Sequence, residues 1–121
     1  MISLTLLGRI PSKKNSRVTN TRTGRTFPNA RYTKWHKDAS NQLKEGYVWV
    51  ECLQKVKKVE LVFIMPDKRK CDLTNKAESV MDLLVDNNIL EDDNWYVVPE
   101  LIISCKEVNK EKAGVRIKIV I

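Results

Sequence analysis

Between Pro66 and Asp93 the chain sorts its apolar and acidic residues by helical position. From Asp72 to Asn88, Leu73, Ala77, Val80, Met81 and Leu84 fall within one broad stripe at 100° per residue, so a helix here must lay that stripe on an apolar surface. Val56–Met65 offers one. Val59, Leu61 and Phe63 alternate with Glu60 as in a strand, and Val62 and Ile64 on the second face predict a central strand covered on both sides. A strong strand joined to an amphipathic helix restricts the chain to a sheet with helices packed on it.

The remaining segments supply more of both kinds. Ile2–Leu7 reads as an opening strand. The basic stretch 8–31, broken by Pro11, Gly24 and Pro28, reads as a long loop with a small hairpin around Arg22–Arg25. Tyr32–Glu45 is helical, with Trp35, Ala39 and Leu43 recurring every four residues and Gly46 as its stop. After Pro99, Glu100–Val108 and Gly114–Ile121 read as strands joined through a turn at Asn109–Gly114, and an antiparallel hairpin is expected. In the last strand Val115, Ile117, Ile119 and Ile121 point inward, Arg116 and Lys118 outward. The expectation is one α+β domain over 1–121, with a mixed sheet of about four or five strands and two helices on it.

No apolar run approaches the ~18 residues of a membrane span, and the opening MISLTLLGRIPSKK lacks the layout of a secretory signal. Cys52, Cys71 and Cys105 are odd in number and widely spaced, as expected of reduced thiols in a cytoplasmic protein. The single histidine, His36, is expected on a helix surface or partly in the core.

Net charge is +7, and it is unevenly spread. Residues 1–70 hold sixteen Lys and Arg against five acids, whereas residues 71–121 hold six against ten. Nine cations precede the first acid, Asp38. Such asymmetry is an electrostatic footprint for nucleic acid. Lys13, Lys14, Arg17, Arg22 and Arg25 on the N-terminal loop are candidates for phosphate contacts that position DNA without reading its sequence.

The acids then need a reason. On the polar side of the second helix, Asn75, Glu78 and Asp82 share a face, and Asp72 stands near it at the helix start. Plainer uses exist: solvated surface, a capping box at Asn75-x-x-Glu78, or a favourable charge at the N-terminus for Asp72. Two features favour a metal. Asp92 and Asp93 follow Ile89-Leu90, where the chain turns back toward the sheet and can set a carboxylate beside the helix. Lys68, Arg69 and Lys70 crowd the entrance and draw phosphate toward the acids. Asp72, Glu78, Asp92 and Asp93 are the candidate ligands, and hard oxygen donors suit Mg²⁺, with Mn²⁺ as a substitute. Ligand sets for zinc are absent.

The order Pro11-Ser12-x-x-Asn15, Met65-Pro66-Asp67, Asp72-Leu73-Thr74-Asn75, Met81-Asp82-x-Leu84 and Asp92-Asp93 resembles the RusA family of Holliday junction resolvases, small phage and bacterial endonucleases. The resemblance covers most of the chain. It implies a Mg²⁺-dependent homodimer that nicks four-way DNA junctions symmetrically, with no small-molecule cofactor. It makes Asp72 the first acid of the family's D-x-D-N motif, Asn75 its Asn, and Asp93 the key acid of the paired aspartates, and it adds Asn15 to the DNA-binding set. Thr74 departs by standing where the motif has its second Asp, and Glu78 by standing where the best-known members carry a functional Lys. Glu78 lies about one turn beyond Thr74 and can reach back to the same metal, while Lys76 can supply the displaced cation. The expected catalytic set is therefore Asp72, Glu78, Asp93 and Lys76, supported by Thr74 and Asn75.

Tyr32, Trp35, Tyr47 and Trp49 are read as core or dimer-interface residues. Trp95 and Tyr96 are expected to bury themselves and so fix the acids that precede them. The expected activity is structure-selective cleavage of four-way junctions. The alternatives are a nuclease for other branched DNA and a non-catalytic nucleic-acid-binding module, which would bind DNA in a salt-sensitive way without metal or cleavage.

Overall fold

The computed structural model describes residues 1–12, 17–19, 21–28, 30–46 and 51–121, with 17–19 and 27–28 described through their backbone. In chain order the elements are β1 (Ile2–Leu7), β2 (Arg17–Thr19), β3 (Thr26–Pro28), α1 (Ala30–Gly46), β4 (Lys58–Met65), α2 (Leu73–Asp86), β5 (Leu101–Val108) and β6 (Gly114–Val120). β2 and β3 form the small hairpin expected in the basic loop.

The other four strands make one mixed sheet in the order β1-β6-β4-β5, so the fold is α+β with two helices, as expected. The anticipated β5–β6 hairpin does not form. β6 runs antiparallel to both β1 and β4 and lies between them, while β5 pairs in parallel with the far side of β4. The cause is α2. It carries the chain back along β4, so the next strand must enter in the direction of β4. The turn after β5 then crosses to the opposite side of β4, held by the Asn109 amide donating to the Met65 carbonyl at 2.8 Å.

Alternation in the strands builds the core. Leu6, Val59, Leu61, Ile117 and Ile119 are fully buried on one face, and they pack with Ala39 and Leu43 of α1 and Val80, Leu83 and Leu84 of α2. Each large apolar side chain so buried contributes roughly 1.5–3 kcal/mol. Arg116 and Lys118 point to water as expected, but Ile121 lies beyond the strand and is exposed. β4 is interior to the sheet; on its second face Ile64 is buried, whereas Glu60 and Val62 are only half-buried, so that face is covered only in part. Gly114 is required where β6 begins. Its φ is +151°, and a Cβ there would lie 1.9 Å from the Leu6 carbonyl oxygen.

α2 is shorter than its periodicity suggests. Asp72 is its N-cap, and the helix stops at Asp86 because Asn88 takes a left-handed φ of 58°. The Asn87 side-chain amide donates to the Leu83 carbonyl at 2.8 Å and to Ser40 Oγ of α1 at 3.1 Å. The reversal buries Ile89 and Leu90, and the Leu53 carbonyl accepts the Glu91 amide at 2.9 Å. The following loop is thereby aimed back across α2. His36 is partly exposed on α1, its Nε2 2.8 Å from Asp86 Oδ2.

Candidate active site

Glu78 and Asp93, fifteen residues apart in sequence, line one cleft. Its volume is about 270 Å³, and Thr74, Met81, Val98 and Ile103 form much of the rest of its wall. Three elements meet here: the polar edge of α2, the loop returning from it, and the start of β5. The helix presents Thr74 and Glu78 on the same side because they are one turn apart.

Asp93 is set in place by its own loop. Asp92 Oδ1 accepts the Asp93 amide at 2.7 Å and Asp92 Oδ2 accepts the Asn94 side-chain amide at 3.1 Å, which turns Asp92 toward its own loop. Partial burial pushes the Asp93 carboxyl above the usual range, and the hydrogen bond with Asp92 and the charge of Asp82 push the same way. Asp82, one turn beyond Glu78, is therefore an electrostatic member of this site. The spacing Glu78-x-x-x-Asp82 placed it on the right face, but only the returning loop brings Asp93 near it.

Asp72 stands exposed at the head of α2. Its side chain caps no helix amide, and Asn75 Nδ2 reaches its Oδ2 at 3.4 Å. With the helix starting at Leu73, Asn75 lies in its first turn and is not an N-cap, so the capping-box reading of Asn75 and Glu78 does not hold. Among the described residues no three His, Cys, Asp or Glu side chains are grouped so as to hold a metal ion. The pair of hard carboxylates in one open cleft nonetheless fits Mg²⁺, which commonly takes one or two protein carboxylates and keeps several waters.

A second cleft, of about 220 Å³, gathers cations: Arg9, Arg69, Lys70 and Lys76, with Asp67 among them. Lys76 belongs to this cleft and is not part of the wall beside Glu78 and Asp93. Its ammonium donates to the Ile10 carbonyl at 2.5 Å, and burial lowers its pKa. Asp67 accepts from the Arg9 guanidinium and from the Arg69 amide, the latter at 3.0 Å. Arg9 was not singled out by the sequence, which offers no local signal that residues 9 and 67 meet. Lys68 joins Arg69 and Lys70 along an adjoining open groove at the entrance to α2, where the sequence put them.

Arg22 and Arg25 are exposed around the turn of the β2–β3 hairpin. Arg17 is described only as backbone in β2, and Lys13, Lys14, Asn15, Tyr47 and Trp49 lie outside the described residues. The expectation for Trp95 and Tyr96 is overturned. They are 78% and 60% exposed, because Ile89, Leu90, Val97 and Val98 already fill the space beneath their loop.

Carboxylates in one cleft and a cluster of cations in the next, carried on a small mixed sheet, define a domain equipped to handle a phosphate polyanion. The comparison of sequences makes this specific. The family model described as Endodeoxyribonuclease RusA matches residues 8–120, and the chain belongs to that family of endodeoxyribonucleases. It is also similar to the crossover junction endodeoxyribonuclease RusA of Aquifex aeolicus (strain VF5), 27% identical over 113 residues that cover 93% of this chain and 86% of that protein.

Proposed function

We propose that this endonuclease resolves four-way DNA junctions by paired phosphodiester hydrolysis, using Mg²⁺ held at the Glu78–Asp93 cleft. The observation that carries the reading is the meeting of Glu78 and Asp93 in one cleft, with Thr74 of α2 in the same wall. Glu78 replaces the carboxylate that the family motif has at position 74. The similarity to a crossover junction endodeoxyribonuclease supplies the substrate class.

When bound, Mg²⁺ supplies Lewis-acid polarisation of a phosphate and an acidified water. The chain's own residues do the rest. Glu78 and Asp93 would hold the ion, with water filling the rest of its shell. Asp72, the match to the first acid of the family motif, stands at the head of α2 outside the lining of that cleft. Asp92 holds the Asp93 backbone in position. Asp82 adds negative charge that favours a cation there. Lys76, Arg69 and Lys70 take neighbouring phosphates in the basic cleft, which is a positioning role separate from the acids. Arg22 and Arg25, with the cations of residues 13–17, hold a DNA arm by its backbone. A two-fold homodimer would present two such sites to the symmetric junction, which accounts for paired nicks.

One assay tests this: a four-way junction, a linear duplex and a flap, each with Mg²⁺ and with chelator. Symmetric cutting of the junction alone, dependent on Mg²⁺, is expected. Preferred cutting of the flap would move the substrate to other branched DNA. Cutting in chelator would refute the metal assignment.

A further inference from the structure

Trp95 and Tyr96 follow immediately on Asp93 and Asn94, and the fold leaves both in solvent. Their backbone is tightly held. Asn94 Oδ1 accepts the amides of Tyr96 and Val97, each at 3.1 Å, and the Asn94 carbonyl accepts the Val98 amide at 2.9 Å. The Val97 carbonyl accepts the Val56 amide at 2.9 Å, which ties the turn to the chain leading into β4.

The two rings are organised with respect to each other. Trp95 stands edge-on to Tyr96, with centroids 6.0 Å apart and planes at 79°. The Lys55 ammonium lies 4.8 Å from the Tyr96 centroid. Tyr96 is thus braced by a cation and an aromatic edge, while most of Trp95 remains open. Buried Val56 leaves its neighbour Lys55 exposed, and the Lys55 ammonium puts positive charge beside the aromatic pair.

We propose that Trp95, braced by Tyr96 and Lys55, is a stacking platform for an unstacked nucleobase at the branch point of the DNA. The proposal rests on the reading of branched DNA as substrate. Inside a continuous duplex every base is already stacked, and drawing one out is costly. A branch point interrupts the stack, so a base there can move onto an indole at little cost. Every base has a π-face, so the platform is tolerant of sequence, and Lys55 is placed for the adjoining phosphate. Because Trp95 is two residues from Asp93, a base on it sets the branch point beside the acidic cleft. The platform therefore distinguishes a branch from a duplex before any bond is cut.

The test places 2-aminopurine at the branch point of a four-way junction, or in one arm as a control, and follows binding of the full-length protein in chelator. A fluorescence change at the branch point and none in the arm is expected. Trp95→Ala should lose that change and bind the junction about tenfold more weakly, with duplex binding unaltered, while Trp95→Phe should keep most of both. An unchanged signal in Trp95→Ala overturns the proposal, as does an equal loss on duplex. So does a change of oligomeric state in sedimentation, which would make the aromatic pair a contact between copies. Cleavage of the same junction by the wild-type protein with Mg²⁺ is scored separately. Stacking and junction resolution can therefore fail independently.

Discussion

Ser79, wholly buried on α2, donates its hydroxyl to the Pro11 carbonyl at 2.7 Å, across a separation of 68 residues. One turn earlier, Lys76 donates to the carbonyl of Ile10. Together they fasten the chain leaving β1, where the basic loop begins, to the helix that carries Glu78. Ser79→Ala removes one fastening and leaves the partner carbonyl to find another donor. Urea unfolding should show a loss of about 1 kcal/mol, with cleavage retained where the protein remains folded.

The acidic cleft makes a sharper demand. Glu78→Gln and Asp93→Asn each keep the size of the side chain and remove its charge. Each should lower Mg²⁺-dependent junction cleavage by about 100-fold or more, while junction binding in chelator stays close to that of the wild type. Normal cleavage by Glu78→Gln would refute the idea that Glu78 stands in for the missing second aspartate at Thr74.

Cations at a distance from the acids should behave differently. Arg25 and Lys70 are exposed, one on the β2–β3 turn and the other at the entrance to α2. If each neutralises a phosphate, Arg25→Ala and Lys70→Ala should each reduce the slope of log K against log salt by about 1. The effect should be similar on any DNA sequence. Binding titrations at several salt concentrations in chelator measure it.

Asp67 provides a prediction in pH. Its carboxyl is held below the ordinary aspartate value, chiefly by the hydrogen bond from the Arg69 amide and then by the charges of Arg9 and Arg69, with some desolvation acting in the opposite direction. Folding thus favours its ionised form. That contribution is present above the unfolded pKa of about 3.9 and is lost as pH falls through the lower, folded value. Carboxyl carbon NMR should place the Asp67 midpoint below that of a free aspartate. Arg9→Ala should raise it only part of the way, since the amide bond remains. No movement on removing Arg9 would count against the ion pair.

Much of the architecture was legible locally. Strand β1 lies at Ile2–Leu7 as read, and β4 buries the alternating Val59, Leu61 and Phe63, with Ile64 beside them. The apolar stripe of α2 is buried at Ala77, Val80, Met81 and Leu84, though not fully at Leu73. The end of α2 was harder to read, because the backbone turn at Asn88 overrides a continuing polar pattern. In the site, the order of acids brought out the family. It did not show that Lys76 turns away from Glu78 toward Ile10.

By itself, then, the sequence determined the periodic elements, the basic first half and the acids at 72, 78, 92 and 93. Side-chain periodicity and charge are local properties, written in consecutive residues. Only the tertiary structure decided that β6 lies between β1 and β4, that Glu78 shares a cleft with Asp93, and that Trp95 and Tyr96 remain in water. Those outcomes depend on contacts between distant segments, such as Leu7 with Gly114 and Val56 with Val97. Their enthalpy is collected only when the chain closes on itself, so no local window of residues encodes them.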